Sequence, residues 1–286
     1  MNNDAGTHRH GGDRRRLRGA IAYLAMLVVV ATVVIPLYFV LITSLKPRPD
    51  IYTQPVMWFP DEIIPDSYTT VFTAVPFWEY LRNSVFITAV LTVVQVVLGV
   101  LSAYALVFLR FPGRHAAFLF ILASLMVPKE ITVISNFALV AQLGWTNSFA
   151  GIIVPLAGVA FGAYLLRNHF MSLPGEVIEA ARMDGTPPMK MLWRVVLPMS
   201  WPTVAAFTII TIVTEWNQYL WPFLIASNEK VAPLPVGLTL LQQAEGLTNW
   251  GPVMAGTVVT MLPILVAFLL LQKQMIKGLT AGAVKG

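Results

Sequence analysis

The side chains of this chain that could do chemistry fall in three places. Glu215 stands inside an apolar run, among Thr211, Thr214, Trp216, Asn217 and Gln218. At helical spacing Thr211, Glu215 and Gln218 share one stripe, a pattern suited to lining a polar pathway. Trp216 and Tyr219 could stack on the carbon face of a sugar or of glycerol. The competing reading of the same residues is hydrogen bonding between helices. Lys129 and Glu130 follow Pro128 in another apolar run. Proline frees a backbone carbonyl, as in broken helices that line cavities. Lys129 could meet a phosphate there, or the pair could mark the outer end of a shorter helix.

The third place is Glu179-Ala180-Ala181-Arg182-Met183-Asp184-Gly185, followed by Val196-Leu197-Pro198. Its two alanines make a small, flat helix face flanked by Glu179 and Asp184. Gly185 tolerates positive φ and so permits a sharp turn. Thr186 is placed to cap a second helix, with Pro187 and Pro188 in its first turn. Ser172 is placed to begin the first helix, and Leu192 and Trp193 belong to the second. Such a knuckle binds a partner; it does not make or break bonds. Exposed Met, Leu and Trp side chains there call either for a protein groove or for lipid headgroups.

Enzymatic motifs are lacking. The chain has no G-x-x-x-x-G-K-[ST] for a nucleotide, no H-E-x-x-H and no serine nucleophile elbow. It has no cysteine, and its four histidines are scattered. Catalytic residues, a resident metal and a cofactor are therefore not expected. His8 and His10 lie in a polar tail, residues 1–18, that reads as solvated.

The elements that must position these residues are helices in lipid. The composition is 57% hydrophobic and only 12% charged, against about 25% charged in a soluble domain. Six apolar runs, at about 20–43, 84–109, 116–139, 148–166, 203–226 and 253–271, approach the roughly 20 residues that a spanning helix needs. The expected architecture is an all-α integral membrane protein of six transmembrane helices, occupying 19–272, with external segments at 45–82 and 227–252. The first run exceeds the h-region of a signal peptide and lacks a cleavage site. Arg14, Arg15, Arg16, Arg110, Arg114, Arg167, Arg182 and Lys190 fall on one side of these runs. The positive-inside rule then makes that side, both termini and the 169–200 loop cytoplasmic. The net charge of +5 is spread over short loops, which argues against nucleic acid. External tryptophans such as Trp58, Trp78 and Trp250 read as interfacial anchors or as part of a docking platform.

These motifs carry a family resemblance. Glu179-Ala180-Ala181, Asp184-Gly185 and Leu197-Pro198 resemble the conserved cytoplasmic loop of permeases in binding-protein-dependent ABC importers. Ser102-Ala103-Tyr104-Ala105 through Arg110-Phe111-Pro112-Gly113-Arg114 resembles the second span and first internal turn of the sugar-importer permeases. Trp216-Asn217-Gln218-Tyr219-Leu220-Trp221-Pro222 resembles their fifth span. The end, Gly278-Leu279-Thr280-Ala281-Gly282 and the residues after it, is similar to the tail of the smaller maltose permease. The resemblance implies a type I importer permease fold in the cell membrane. It also implies a homologous second permease, two ATPase subunits that carry the ATP and Mg, and an external solute-binding protein. By that likeness Glu179 pairs with an arginine of the ATPase, Gly185 is the pivot, and Leu192 and Trp193 seat in the ATPase groove. The tail at 273–286 reaches the ATPase subunits. Met126-Val127-Pro128-Lys129-Glu130 and the tryptophan motif look most like the smaller permease of glycerol-3-phosphate and glycerophosphodiester importers, with a di- or oligosaccharide importer as the alternative. A membrane enzyme acting on lipids and an ion-coupled carrier are the readings from other classes.

Overall fold

The computed structural model describes residues 10–242 and 248–280, with side chains given for all of these except 10–18, 271 and 273–280. The described residues form helices and turns, with no strand among them. The chain divides into two units, Met1–Val71 with Glu245–Val258, and Phe72–Ala244 with Val259–Gly286.

In the first unit α1 (His10–Thr43) is apolar and solvent-exposed along most of its described length, as a helix facing lipid or another subunit would be. The chain beyond it folds back as turns and two short helices, α2 (Arg48–Ile51) and the start of α3 (Asp66–Ala74). Its polar groups close on themselves: Tyr38 Oη donates to the Trp58 carbonyl and Lys46 Nζ to that of Met57, and the Ser44 and Tyr68 hydroxyls meet at 2.8 Å. Phe39 packs on Trp58 at 5.0 Å between ring centroids. The short-helix character expected for the 45–82 segment is present.

In the second unit α4 (Phe77–Phe108) is the central helix. After it come α5 (Arg114–Met126), α6 (Lys129–Gln142), α7 (Phe149–Leu156), α8 (Ala160–Met171) and α9 (Gly175–Met183). The chain continues through α10 (Pro188–Met191), a π-helical turn (Leu192–Val196), α11 (Leu197–Trp216), α12 (Leu220–Ile225) and α13 (Leu234–Leu240). The last helix, α14, spans Trp250–Thr280. At one end of α4, Asn83 Nδ2 donates to the Glu229 and Ala232 carbonyls at 3.0 Å, and Ser84 Oγ accepts from Leu234 N at 2.7 Å. These bonds clamp the 227–240 segment onto the helix.

Among the described residues five helices are long and apolar enough to cross a membrane: Gly19–Thr43, Phe77–Phe108, Phe149–Met171, Pro188–Trp216 and Trp250–Leu270. The pair Arg114–Met126 and Lys129–Gln142, bent by 99°, makes a sixth if counted as one span. Two spans differ most from the sequence reading. The second span begins at Phe77 rather than 84, because Phe77 and Tyr80 are buried and extend the helix outward. The fifth span runs over 188–216 rather than 203–226. Pro198 and Pro202 do not end it: the Leu197 amide reaches back to the Leu192 carbonyl, so the π turn shifts the ladder just ahead of the prolines that would interrupt it.

Among the described residues two spans are broken, the third at Val127–Pro128 and the fourth at 157–159, and 217–219 separates the end of the fifth from α12. Irregular backbone within a membrane is tolerated only where protein or a water-filled cavity surrounds it.

Candidate functional site

The breaks at 127–128 and 157–159 frame a cavity of about 730 Å³ within the second unit. Gln95 and Ser102 face it from α4, Lys129 from the first position of α6, and Gly158–Ala163 from the break before α8 and its first turn. Thr211, Thr214 and Glu215 face it from α11. Gln95, Gly99 and Ser102 sit at i, i+4 and i+7 on α4, so one stripe of that helix looks inward. Glu215 is 4% exposed. Gln95 Nε2 donates to Glu215 Oε1 at 3.0 Å and to the Leu156 carbonyl at 2.8 Å. That carbonyl is one that the break after α7 releases. Glu215 Oε2 has no hydrogen-bond partner among the described residues.

Of the residues expected to line a pathway, the structure brings Glu215 and Lys129 to this cavity. Lys129 also lines a second cavity of about 210 Å³, together with Glu130, Asn136 and Gln218. The helical stripe Thr211–Glu215–Gln218 does not persist, because α11 ends at Trp216 and Gln218 turns into the smaller cavity. Trp216 points elsewhere: its Nε1 donates to the Thr260 carbonyl at 3.2 Å, which pins α11 to α14. Asn217 is exposed, its Nδ2 bonded back to the Val213 carbonyl at 2.7 Å. Tyr219 stacks on Phe223 at 5.3 Å. Neither Trp216 nor Tyr219 faces the larger cavity. The sequence reading missed Gln95, although a glutamine between Val94 and Val96 in an otherwise apolar span is the sort of residue that faces a bundle interior.

The knuckle is built as its residues dictate. Gly185 has φ +65°, and the α9 terminus closes with Gly185 N to the Arg182 carbonyl at 3.0 Å and Thr186 N to that of Ala181 at 3.1 Å. This pair of bonds is the Schellman arrangement, which places glycine at the left-handed position. Thr186 and Ser172 do not cap. The residues before α9 and α10 are Pro174 and Pro187, whose fixed φ already suits a helix entry, and Ser172 Oγ instead donates to the His169 carbonyl at 2.8 Å.

Glu179, Ala180, Asp184, Gly185, Pro198 and Trp193 are exposed, whereas Ala181 and Leu197 are half-buried. Leu192 departs from expectation: it is completely buried, in a cluster with Ile178, Met191 and Val196 from the knuckle and Val100, Tyr104, Leu166, Phe170 and Phe207 from the spans. Its neighbour Trp193 is 64% exposed. One side chain roots the knuckle and the other is free to meet a partner, since adjacent helical residues point about 100° apart. Tyr104 Oη donates to the Pro188 carbonyl at 2.7 Å and ties α10 to α4.

Phe207 belongs both to this cluster and to the cavity wall. Its ring lies against Gly162: a Cβ there would fall 2.7 Å from Cε1 and 2.8 Å from Cε2. In the tail, Gly278, Leu279 and Thr280 continue the backbone of α14, and Ala281 and Gly282 lie outside the described residues. Among the described residues no cluster of three or more His, Cys, Asp or Glu could hold a metal.

Residues 95–278 match the family of binding-protein-dependent transport system inner membrane components. The chain belongs to that family. This permease is therefore a multi-pass membrane protein of a transport system. It is 32% identical over 274 residues to the "sn-glycerol-3-phosphate transport system permease protein UgpE" of Pectobacterium atrosepticum, covering 93% of this chain and 98% of the relative. The protein of the same name from Escherichia coli O1:K1 is 31% identical over 265 residues, with 90% and 94% covered. Among solved structures, the permease resembles a chain of a bacterial ABC transporter involved in the import of the acidic polysaccharide alginate. The TM-score is 0.80 at 23% identity, covering 96% of this chain and 99% of that one. A second alginate ABC transporter structure, in complex with an alginate pentasaccharide-bound periplasmic protein, gives 0.69 at 15% identity, with 92% and 96% covered. These structural likenesses establish the ABC importer permease fold.

Proposed function

We propose that this permease is one half of the translocation pathway of an ATP-driven importer for glycerol 3-phosphate and its diesters. It contributes no catalysis of its own, and ATP and Mg are held by separate subunits. The solute class is supported by the sn-glycerol-3-phosphate permeases that match over 93% of this chain and 98% of their own length. Both termini and the 169–200 loop are cytoplasmic, and the 45–82 and 227–252 segments face the external solute-binding protein. A second, homologous permease completes the transmembrane body, and two ATPases dock from inside.

The observation that carries the coupling role is the knuckle's two-sidedness. Glu179, Ala180, Asp184 and Trp193 are presented outward, while Ile178, Met191 and Leu192 anchor the same short helices in a core that reaches the cavity wall. A partner that grips the outer side moves the inner side with it. Glu179 supplies the charge for an ion pair with the ATPase, Gly185 the turn, and Trp193 the apolar contact. Leu197 and Pro198 carry the motion into α11, and the tail residues Gly278–Gly282 lie near the ATPases.

The absence of cysteine makes the topology directly testable. Ala180→Cys and Glu229→Cys each introduce a single thiol for a membrane-impermeant maleimide in intact cells. Glu229→Cys is expected to label from outside. Ala180→Cys is expected to label only after permeabilisation, and less so when the ATPases are bound. Labelling of Ala180→Cys from outside would overturn the reading. Uptake by the reconstituted complex, compared for sn-glycerol 3-phosphate and maltose, tests the solute class.

A further inference from the structure

The larger cavity is chemically lopsided. One wall carries the Glu215 carboxyl group, held by Gln95, and the first position of α6 contributes the Lys129 ammonium. Both amide hydrogens of Gln95 are spent, one on Glu215 Oε1 and one on the Leu156 carbonyl. What this wall still offers is acceptors: Gln95 Oε1 and the unpartnered Glu215 Oε2. Glu215 is 4% exposed, and a buried carboxyl group with an oxygen unmatched is costly unless something completes it. The terminal torsion of glutamate is soft, so the oxygen can turn toward the cavity without displacing the helix.

We infer that this cavity is a solute subsite within the membrane, in which Glu215 and Gln95 accept hydrogen bonds from the hydroxyl groups of a polyol and Lys129 faces an anionic group on the same molecule. A phosphate monoester of glycerol has both features. An anion alone would be repelled at the acidic wall, and a neutral sugar would leave the ammonium without a counterpart. The assignment to a glycerol phosphate rests on the solute class proposed above; the acceptor wall rests on Glu215 and Gln95 themselves. Interior polar groups of this kind select by leaving themselves unpaired when the wrong molecule enters.

The test uses the full complex in nanodiscs and three probes: sn-glycerol 3-phosphate, glycerol and inorganic phosphate. The carboxyl infrared bands of Glu215 are isolated by subtracting spectra of Glu215→Gln, which is nearly isosteric and can still accept the Gln95 bond. The expected result is a shift of those bands with sn-glycerol 3-phosphate, a smaller one with glycerol, and none with phosphate. In proteoliposomes, glycerol 3-phosphate uptake per ATP should fall on the order of tenfold in Glu215→Gln, as a charge-assisted hydrogen bond becomes a neutral one. It should fall comparably in Lys129→Gln. Bands that fail to move with either hydroxylated probe, or that move equally with phosphate, would overturn the subsite. So would wild-type uptake per ATP in Glu215→Gln. If the wild-type complex transports no glycerol 3-phosphate, the solute class falls instead, and the glycerol response of the Glu215 bands still decides the acceptor wall.

Discussion

Leu192 and Trp193 are adjacent, and truncating each should have opposite consequences. Leu192 is fully buried among side chains of the knuckle, α4, α8 and α11. A buried Leu→Ala change costs about 2–5 kcal/mol, the sum of lost transfer energy and the cavity left behind. Where lipid is the alternative solvent, the transfer part shrinks because acyl chains are as apolar as leucine. The packing loss remains, which puts Leu192→Ala near the lower end, about 2–3 kcal/mol. At about 2–4 °C per kcal/mol for a domain of 150–250 residues, the melting midpoint of the purified permease should drop by roughly 4–12 °C. Trp193 is 64% exposed, so Trp193→Ala should change stability by about 0.5 kcal/mol or less. If it sits in a desolvated ATPase groove, its loss should weaken docking by 2 kcal/mol or more, as interface tryptophans do. The assay pairs a thermal melt of the isolated permease with recovery of the ATPase subunits on affinity purification. The reasoning is refuted if Trp193→Ala destabilises the permease as much as Leu192→Ala. It is equally refuted if Trp193→Ala retains full ATPase recovery while Leu192→Ala, with an unchanged melt, loses it.

Other substitutions probe the same frame. Gly185→Val places a β-branched residue at φ +65°, a strain of about 1–3 kcal/mol; membrane insertion should be intact, with reduced uptake and reduced ATPase recovery, checked by vesicle transport and pull-down. Gly162→Ala pushes a methyl group into the Phe207 ring. Overpacking of that kind costs about 1–3 kcal/mol, and uptake per ATP should fall even though neither residue lies on the exposed side of the knuckle. Tyr104→Phe removes the bond to the Pro188 carbonyl, at about 1 kcal/mol; hydrogen exchange in 188–192 should accelerate while the remainder of α4 keeps its protection.

The helical class and most spans were legible because long apolar runs leave a membrane-spanning chain few other options. The knuckle was legible too, since Gly185 and its flanking prolines have few alternative uses. Side-chain direction was harder to read. Leu192 and Trp193 look equally suited to a groove in sequence, and only packing against Phe170 and Phe207 separates them. The helix breaks at 157–159 and 217–219 carry weak local signals: Gly158 is a single glycine, and Asn217-Gln218-Tyr219 has no proline. A continuous helix was therefore assumed through Gln218, which placed Trp216 and Gln218 beside Glu215. Gln95 was overlooked because its importance comes from a carbonyl some sixty positions further along the chain, released by one of those breaks.

The double membership of Phe207 has a thermodynamic corollary. A rigid lever transmits in both directions: if closure of the motors alters how tightly the chamber holds its cargo, an occupied chamber must alter motor closure by an identical free energy. Cargo in transit would then be felt at the nucleotide without any contact between them, and softening that single ring should blunt both responses in equal measure.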